Sequence, residues 1–170
     1  MIVIPRKHIQ KKGCKGVSLK NDRIRFEKQQ KKKALMPKHA SVGALISQGK
    51  KLLMFDRVQY PYGYACPAGH VEKDETPLQA IMREIKEETG LDTRGATLID
   101  EEYLPWLECH YGFRGHHFYV YEVDCVGWLK PNPKEVRDLR LMTKTEIKKL
   151  DKQGKLEPVW KYFLTKWGWL

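Results

Sequence analysis

An α/β (α+β) domain with helices packed on a mixed β-sheet is the fold class this sequence predicts, and three observations predict it. Strand-like apolar runs and helix-like amphipathic runs follow one another in mixed order, no segment repeats, and one central helix carries both of its end signals. With 170 residues, 41% of them hydrophobic and 11% aromatic, the chain can build one globular core and little more.

The elements are read in order. Residues 1–38 form a basic N-terminal arm, and residues 39–170 are the expected domain. Within the arm, "GVSLKNDRIRFEKQ" sets the turn-forming Asn21-Asp22 between Val17/Leu19 and Ile24/Phe26, the pattern of a small hairpin. "KQQKKKALMPK" then reads as a basic linker or frayed helix ended by Pro37. From Ser41 the character changes. "SVGALIS" and, after a turn at Gly49, "KKLLMFDR" read as two adjoining strands of a sheet. Residues 59–69, "QYPYGYACPAG", contain two prolines and two glycines and read as a loop. A helix is expected at about 77–89, then the strands "ATLIDEEYL" and "HHFYVYEVDCV", the loop "KPNPKE" and the strand "VRDLRLM". "TKTEIKKLDKQ" and "EPVWKYFLTKW" close the chain as two helices.

Composition excludes several classes. No apolar run approaches the roughly 18–20 residues of a membrane span, so no membrane partner is expected. "MIVIPRKHIQ" has too short an apolar run for a secretory signal, and Cys14, Cys66, Cys109 and Cys125 form no CxxC pair. Cys66 with His70 is a metal-like spacing without a second pair. A reducing, cytoplasmic setting is therefore the expectation. The charge is distributed unevenly. Of 32 basic and 21 acidic side chains, 13 and 2 fall in residues 1–38, which leaves 19 of each in the remaining 132 residues. The whole excess of +11 lies in the arm, where a solvated tail and a nucleic-acid contact are the two readings.

The central helix is well signposted. Thr76-Pro77-Leu78-Gln79 fits a capping box with Thr76 as N-cap and Pro77 at the first helical position, and Gly90 suits the left-handed position beyond the end. At 100° per residue, Leu78, Ile81, Met82, Ile85 and Thr89 form the expected buried stripe. With Glu84 set at 0°, Glu87 lies near about −60° and Glu88 near about +40°, so three carboxylates gather beside the stripe. Small Ala80, one turn below, is expected to leave room for a ligand. Such a face is commonly just solvated. Like charges at this spacing repel, however, and a hard divalent cation such as Mg²⁺ relieves the repulsion while keeping waters that a phosphate substrate can displace.

The surrounding residues decide between the two. "GHVEKDETPLQAIMREIKEETGL" runs Gly69, five residues, Glu75, seven residues, then Arg83-Glu84-Ile85-x-Glu87-Glu88-x-Gly90-Leu91. It resembles the Nudix box of the Nudix hydrolases at all nine defined positions over 23 residues. A looser likeness extends from about 40 to 165, through "CPAG" before the box and "EVRDLRLMTKTEI" after it. The resemblance implies an α/β/α sandwich with a mixed β-sheet between helices. It also implies hydrolysis of a nucleoside diphosphate linked to another group, by attack of water on phosphorus with Mg²⁺ or Mn²⁺ held by the box. Carried over, Glu87 and Glu88 are the main metal ligands, Glu84 bridges a metal or acts as general base, and Gly69 supplies a carbonyl ligand. Arg83 orients Glu87, and Glu75 holds the loop–helix geometry. The family usually adds a carboxylate from a later loop. Glu135 is the choice here, with Glu102, Glu108 and Glu122 as alternatives. Arg57, at the end of "LLMFDR", stands where relatives often contact phosphate.

Substrate is less sharply marked. "CPAG" and Pro105 resemble features of relatives that cleave ADP-ribose. "YLPWLECHYGFRGHHFYVY" offers Trp106, Tyr111 and Phe113 for stacking and Arg114, His116 and His117 for phosphate, and core packing is the alternative for these aromatics. Three functions follow: a pyrophosphohydrolase of small nucleotides such as ADP-ribose, a dinucleoside polyphosphate or a nucleotide sugar; an enzyme acting on RNA 5′ ends through the arm; or a catalytically silent binding module. The intact Glu84, Glu87 and Glu88 argue against the last.

Overall fold

The computed structural model describes residues 3–4, 39–109 and 112–170; the expected hairpin and linker in the arm, Cys14 and Tyr111 lie outside the described residues. The strands are β1 (Val3–Ile4), β2 (Ala40–Leu45), β3 (Ser47–Gln48), β4 (Lys51–Arg57), β5 (Gly63–Ala65), β6 (Ala68–His70), β7 (Asp92–Glu108), β8 (Arg114–Trp128) and β9 (Val136–Thr143). The helices are α1 (Pro77–Thr89), α2 (Lys144–Lys152) and α3 (Pro158–Lys166). The mixed α+β expectation holds. Among the described residues, no helix is long and apolar enough to cross a membrane.

The strands divide between two sheets. In the first, β8 is the hub. It pairs antiparallel with β7 and β1 and parallel with β2, and β6 adds antiparallel to the far side of β2. The parallel β2–β8 pair makes this sheet mixed. The second is wholly antiparallel, with β3, β5 and β9 all pairing with β4. Helix α1 packs against β2, β6 and β7, α2 against β9 and α3 against β5.

Two expectations need correction here. "SVGALIS" adjoins "KKLLMFDR" only at its end, where Ser47 pairs with Leu52 and Leu53 N–H donates to the Ile46 carbonyl; its main part, β2, belongs to a different sheet from β4. Both are apolar almost throughout and buried on both faces, so each takes an interior place in its own sheet rather than flanking the other. The turn at Gly49 (φ 61°) instead folds the two-residue β3 back onto β4. Residues 59–69 are also not simply a loop. Pro61 and Pro67 fall outside the ladder pairs and leave room for β5 and β6 between and beyond them.

The core joins both sheets to the C-terminal helices. Trp160 and Phe163 of α3 pack with Phe118 of β8, at ring-centroid distances of 6.4 and 5.4 Å. Gly43 in β2 lies under this cluster. A Cβ there would come within 2.7 Å of the Trp160 ring and 2.9 Å of Phe118.

Helix α1 has the predicted ends. The Thr76 hydroxyl accepts from Gln79 N–H and the Gln79 side chain accepts from Thr76 N–H, while Gly90 closes the helix at φ 76°. Its buried face is rotated from the expected one. Ala80, Ile81, Ile85, Glu88 and Thr89 are buried, whereas Leu78 and Met82 are 41% and 44% exposed. Packing against β6 and the loop before it covers the carboxylate side of the helix. Glu88 therefore falls in the middle of the covered arc, and Ala80 is packed rather than open to a ligand.

Candidate active site

The register of a short strand pair brings the site together. Antiparallel pairing of β2 with β6 sets Gly69 opposite Val42 and Ala68 opposite Gly43, which presents the backbone of 68–70 to α1. The amide of Ala68 donates to Glu88 Oε2 at 3.0 Å. At Gly69 a methyl group would overlap the Glu84 carboxylate, so only glycine lets the loop approach this closely.

Arg83 fixes the acidic cluster from the side. Its Nε and Nη2 donate to the two Glu75 oxygens at 3.3 and 2.7 Å, and Nη2 also donates to the His70 carbonyl at 2.9 Å. Nη1 donates to Glu84 at 2.7 Å and to Glu87 at 3.1 Å. The planar fork thus spans three carboxylates and the loop, which a lysine could not do. Burial works against the Glu75 carboxylate, yet the Arg83 hydrogen bond and the Glu72 amide leave its pKa below the ordinary value. Through Arg83, Glu75 and the His70 carbonyl are tied to the helix.

Glu84, Glu88 and Glu135 line one cavity of about 220 Å³ with Arg57, Gln59, Gly69, His70 and Glu72. Glu88 is 4% exposed. Burial first, then the charge of Glu84, pushes its carboxyl well above the ordinary range, while Arg57 and the Ala68 amide pull it down and Glu135 adds to the rise. Burial also raises Glu84; Arg83 opposes this, and Glu87 and Glu135 reinforce it. Repelling carboxylates held out of water form a hard oxygen donor set. A divalent cation fits them: it supplies the positive charge that Arg57 and Arg83 provide only from the margins.

The other expected site residues divide. Glu135 comes from the 129–135 loop, where Asn132 Nδ2 donates to its Oε1 at 3.1 Å and its carbonyl accepts from Val58 N–H at 2.9 Å. Glu102 is engaged elsewhere, by Tyr162 at 2.6 Å and Lys166 at 2.8 Å, and Glu122 is exposed on β8. Glu87 is half-exposed and is not among the residues lining the cavity; its carboxylate rests on Arg83. Arg57 lines the cavity, and its buried Nε has no hydrogen-bond partner among the described residues. Arg114 begins β8 opposite Glu108, is exposed, and lines no cavity described here. Trp106 and Phe113, read as stacking or core residues, are 43% and 50% exposed and rest against Tyr162 and His39.

A second cavity of about 110 Å³ adjoins the first. Arg57, Gln59, Ala68, Gly69 and His70 belong to both, and Tyr60, Leu107, Glu108, Phe118, Glu157 and Trp160 extend the second. Sequence reasoning did not single out Gln59 or Glu157. Glu157 caps α3, accepting from Trp160 N–H at 2.9 Å, and "EP" before an apolar run was a legible cap signal with no chemical signature.

A family model for the NUDIX domain matches residues 37–163. Over 61 residues the chain is 39% identical to an ADP-ribose pyrophosphatase of Methanocaldococcus jannaschii, a match covering 35% of this chain and 36% of that protein. It is 34% identical over 59 residues to an RNA pyrophosphohydrolase of a Marinomonas species, covering 35% and 37%. The matched stretches thus span little more than a third of these curated relatives. Among solved structures, a NUDIX hydrolase from Nitrosomonas europaea superposes with a TM-score of 0.62 at 23% identity, over 76% of this chain and 88% of that one. A MutT NUDIX hydrolase from Burkholderia pseudomallei gives 0.56 at 23% identity, over 63% and 84%. At these identities the superpositions establish the fold.

Proposed function

The chain belongs to the Nudix hydrolase family, and on that premise we propose that it hydrolyses a pyrophosphate bond in a nucleoside diphosphate linked to another group. The observation that carries this reading is the convergence of Glu84, Glu88, Glu135 and Arg57 on one cavity bordered by Gly69. Glu84, Glu87, Glu88, Glu135 and the Gly69 carbonyl are the groups that would hold Mg²⁺ or Mn²⁺. The cation, when bound, lowers the pKa of water and neutralises charge on the phosphates. Arg57 binds a phosphate oxygen, for which its unpartnered Nε is suited. Glu84, fixed by Arg83 and raised in pKa by burial, accepts the proton of the attacking water on a carboxylate oxygen. The adjoining cavity receives the rest of the substrate. Free nucleotides of the ADP-ribose, dinucleoside polyphosphate or nucleotide-sugar type fit this reading, and the name of the Methanocaldococcus relative favours the first.

The test is product analysis after incubation with these nucleotides and with 5′-triphosphorylated RNA, with Mg²⁺ or Mn²⁺ added. Glu135→Gln is expected to lower turnover tenfold or more, about 1.4 kcal/mol of transition-state stabilisation per factor of ten. The same change at Glu102 or Glu122 should leave turnover within a factor of about two, since neither lines the cavity. A large loss at one of those with none at Glu135 moves the late carboxylate there.

The second reading, RNA 5′ ends, is favoured by the concentration of charge in residues 1–38. Two relatives named RNA pyrophosphohydrolase agree with it. If the arm holds a single strand, log affinity should fall with log salt by about 0.7 per phosphate neutralised. Replacing Lys28, Lys31, Lys32 and Lys33 by glutamine should flatten that slope and spare hydrolysis of a free nucleotide. RNA affinity that is weak and indifferent to salt would leave the arm a solvated tail.

A further inference from the structure

Outside the carboxylate cluster, three other metal-ligating side chains meet. His39 immediately precedes β2, Cys109 immediately follows β7, and His116 lies near the start of β8. One donor atom from each lies within 4.8 Å of the other two. Pairing of the strands brings them together: Ala40 is in register with His117, the His39 carbonyl accepts from His117 N–H at 3.2 Å, and β7 and β8 are antiparallel partners. Two backbone hydrogen bonds hold Cys109 in place. Its N–H donates to the Phe113 carbonyl at 3.1 Å, and its carbonyl accepts from Gly112 N–H at 2.9 Å. The ring of Phe113 in turn packs at a tilt against His39, with centroids 3.8 Å apart.

The buried histidine points to a missing ligand. His116 is 0% exposed, and its Nε2 has no hydrogen-bond partner among the described residues. Its Nδ1 lies 3.2 Å from Ser41 Oγ. If Nδ1–H donates to that hydroxyl, the free lone pair is on Nε2, the arrangement by which an outer hydrogen bond fixes a metal-binding tautomer. A buried imidazole nitrogen left without a partner is costly.

We propose that His39, Cys109 and His116 bind a zinc-like divalent cation, separately from the Mg²⁺- or Mn²⁺-type site at the glutamates. One thiolate and two imidazoles are a borderline-soft set that suits Zn²⁺ and not the hard cations of the carboxylates. Tetrahedral coordination places donors roughly 3.5 Å apart, within the 4.8 Å over which these three already converge. Three protein ligands leave a fourth position open. Cys109 and His116 also line the second cavity, so the bound cation would tie the starts of β2 and β8 to the end of β7 and brace one cavity wall.

The test uses the full-length protein, stripped with chelator and titrated with Zn²⁺ under excess Mg²⁺, which occupies the glutamates without competing for thiolate. One zinc per chain is expected to survive desalting, and Co²⁺ should give a thiolate-to-metal charge-transfer band. Cys109→Ser should abolish the band and weaken zinc at least about 100-fold by removing the only thiolate donor. His39→Gln, at a half-buried position, should weaken zinc by about tenfold or more and keep the band, and it carries the test if Cys109→Ser misfolds by circular dichroism. Cys14→Ser, which removes the thiol of the arm, should change neither. Absence of retained zinc, zinc affinity undiminished by both site variants, or loss of zinc on Cys14→Ser would each overturn the assignment. Hydrolysis is not needed for any of these readouts, so a wrong substrate reading leaves the test intact.

Discussion

Glu88→Gln is expected to lower turnover on the order of 10³-fold, about 4 kcal/mol of transition-state stabilisation, while making the metal-free protein more resistant to heat. The two effects have one cause. In the folded chain Glu88 is buried beside Glu84 and Glu135, and its carboxyl is raised well above the ordinary value of 4.5. A carboxyl that binds its proton more tightly when folded makes stability fall as pH rises from about 4.5 through the raised folded value. At neutral pH the metal-free wild type is therefore held below its best stability, and added Mg²⁺ or Mn²⁺ should raise its melting temperature. Glutamine keeps the size and the acceptor for Ala68 N–H, so packing survives while the buried charge is removed. The variant should melt higher than the metal-free wild type, show a weaker pH dependence in that window, where Glu84 still contributes, and gain little from Mg²⁺. Near wild-type turnover, or an undiminished Mg²⁺ stabilisation, would remove Glu88 from the metal set.

Much of this site was legible in the sequence, for a physical reason. Capping box, helix and terminal glycine are local signals over neighbouring residues, and they fixed both ends of α1. The Arg83–Glu87 contact follows from i,i+4 spacing along one helix, whereas the Arg83–Glu84 and Arg83–Glu75 contacts join residues that helical spacing does not bring face to face. What sequence could not supply was the orientation of the helix against its neighbours. The apolar stripe alone put Leu78 and Met82 inside and Glu88 at the edge, but β6 and its loop cover the other side. Strand partnership was illegible for the same reason: two apolar runs separated by Gly49 fit one sheet or two equally well, and only long-range pairing decides. The His39, Cys109 and His116 cluster was invisible because its members are up to 77 positions apart and meet through the β2–β8 register, with none of the short spacing by which metal motifs are read.

Gly69→Ala separates the chemistry of the site from the stability of the fold. The added methyl would overlap the Glu84 carboxylate, which Arg83 Nη1 holds at 2.7 Å. The obstacle is the end of a flexible side chain, so Glu84 can swing aside and β6 can stay paired with β2 at small cost. Turnover should fall on the order of 10²-fold, about 2.7 kcal/mol, because Glu84 leaves the position from which it takes the proton. The melting temperature should move by no more than a few degrees. Gly43→Ala, in the strand paired with β6, is the natural contrast. There the methyl meets the packed rings of Trp160 and Phe118, which have no free volume to move into. That variant should lose about 1–3 kcal/mol of stability by overpacking and retain wild-type turnover per folded molecule. If Gly69→Ala kept turnover within about threefold of wild type, the close approach of the loop would be a packing feature and Glu84 would not be the base.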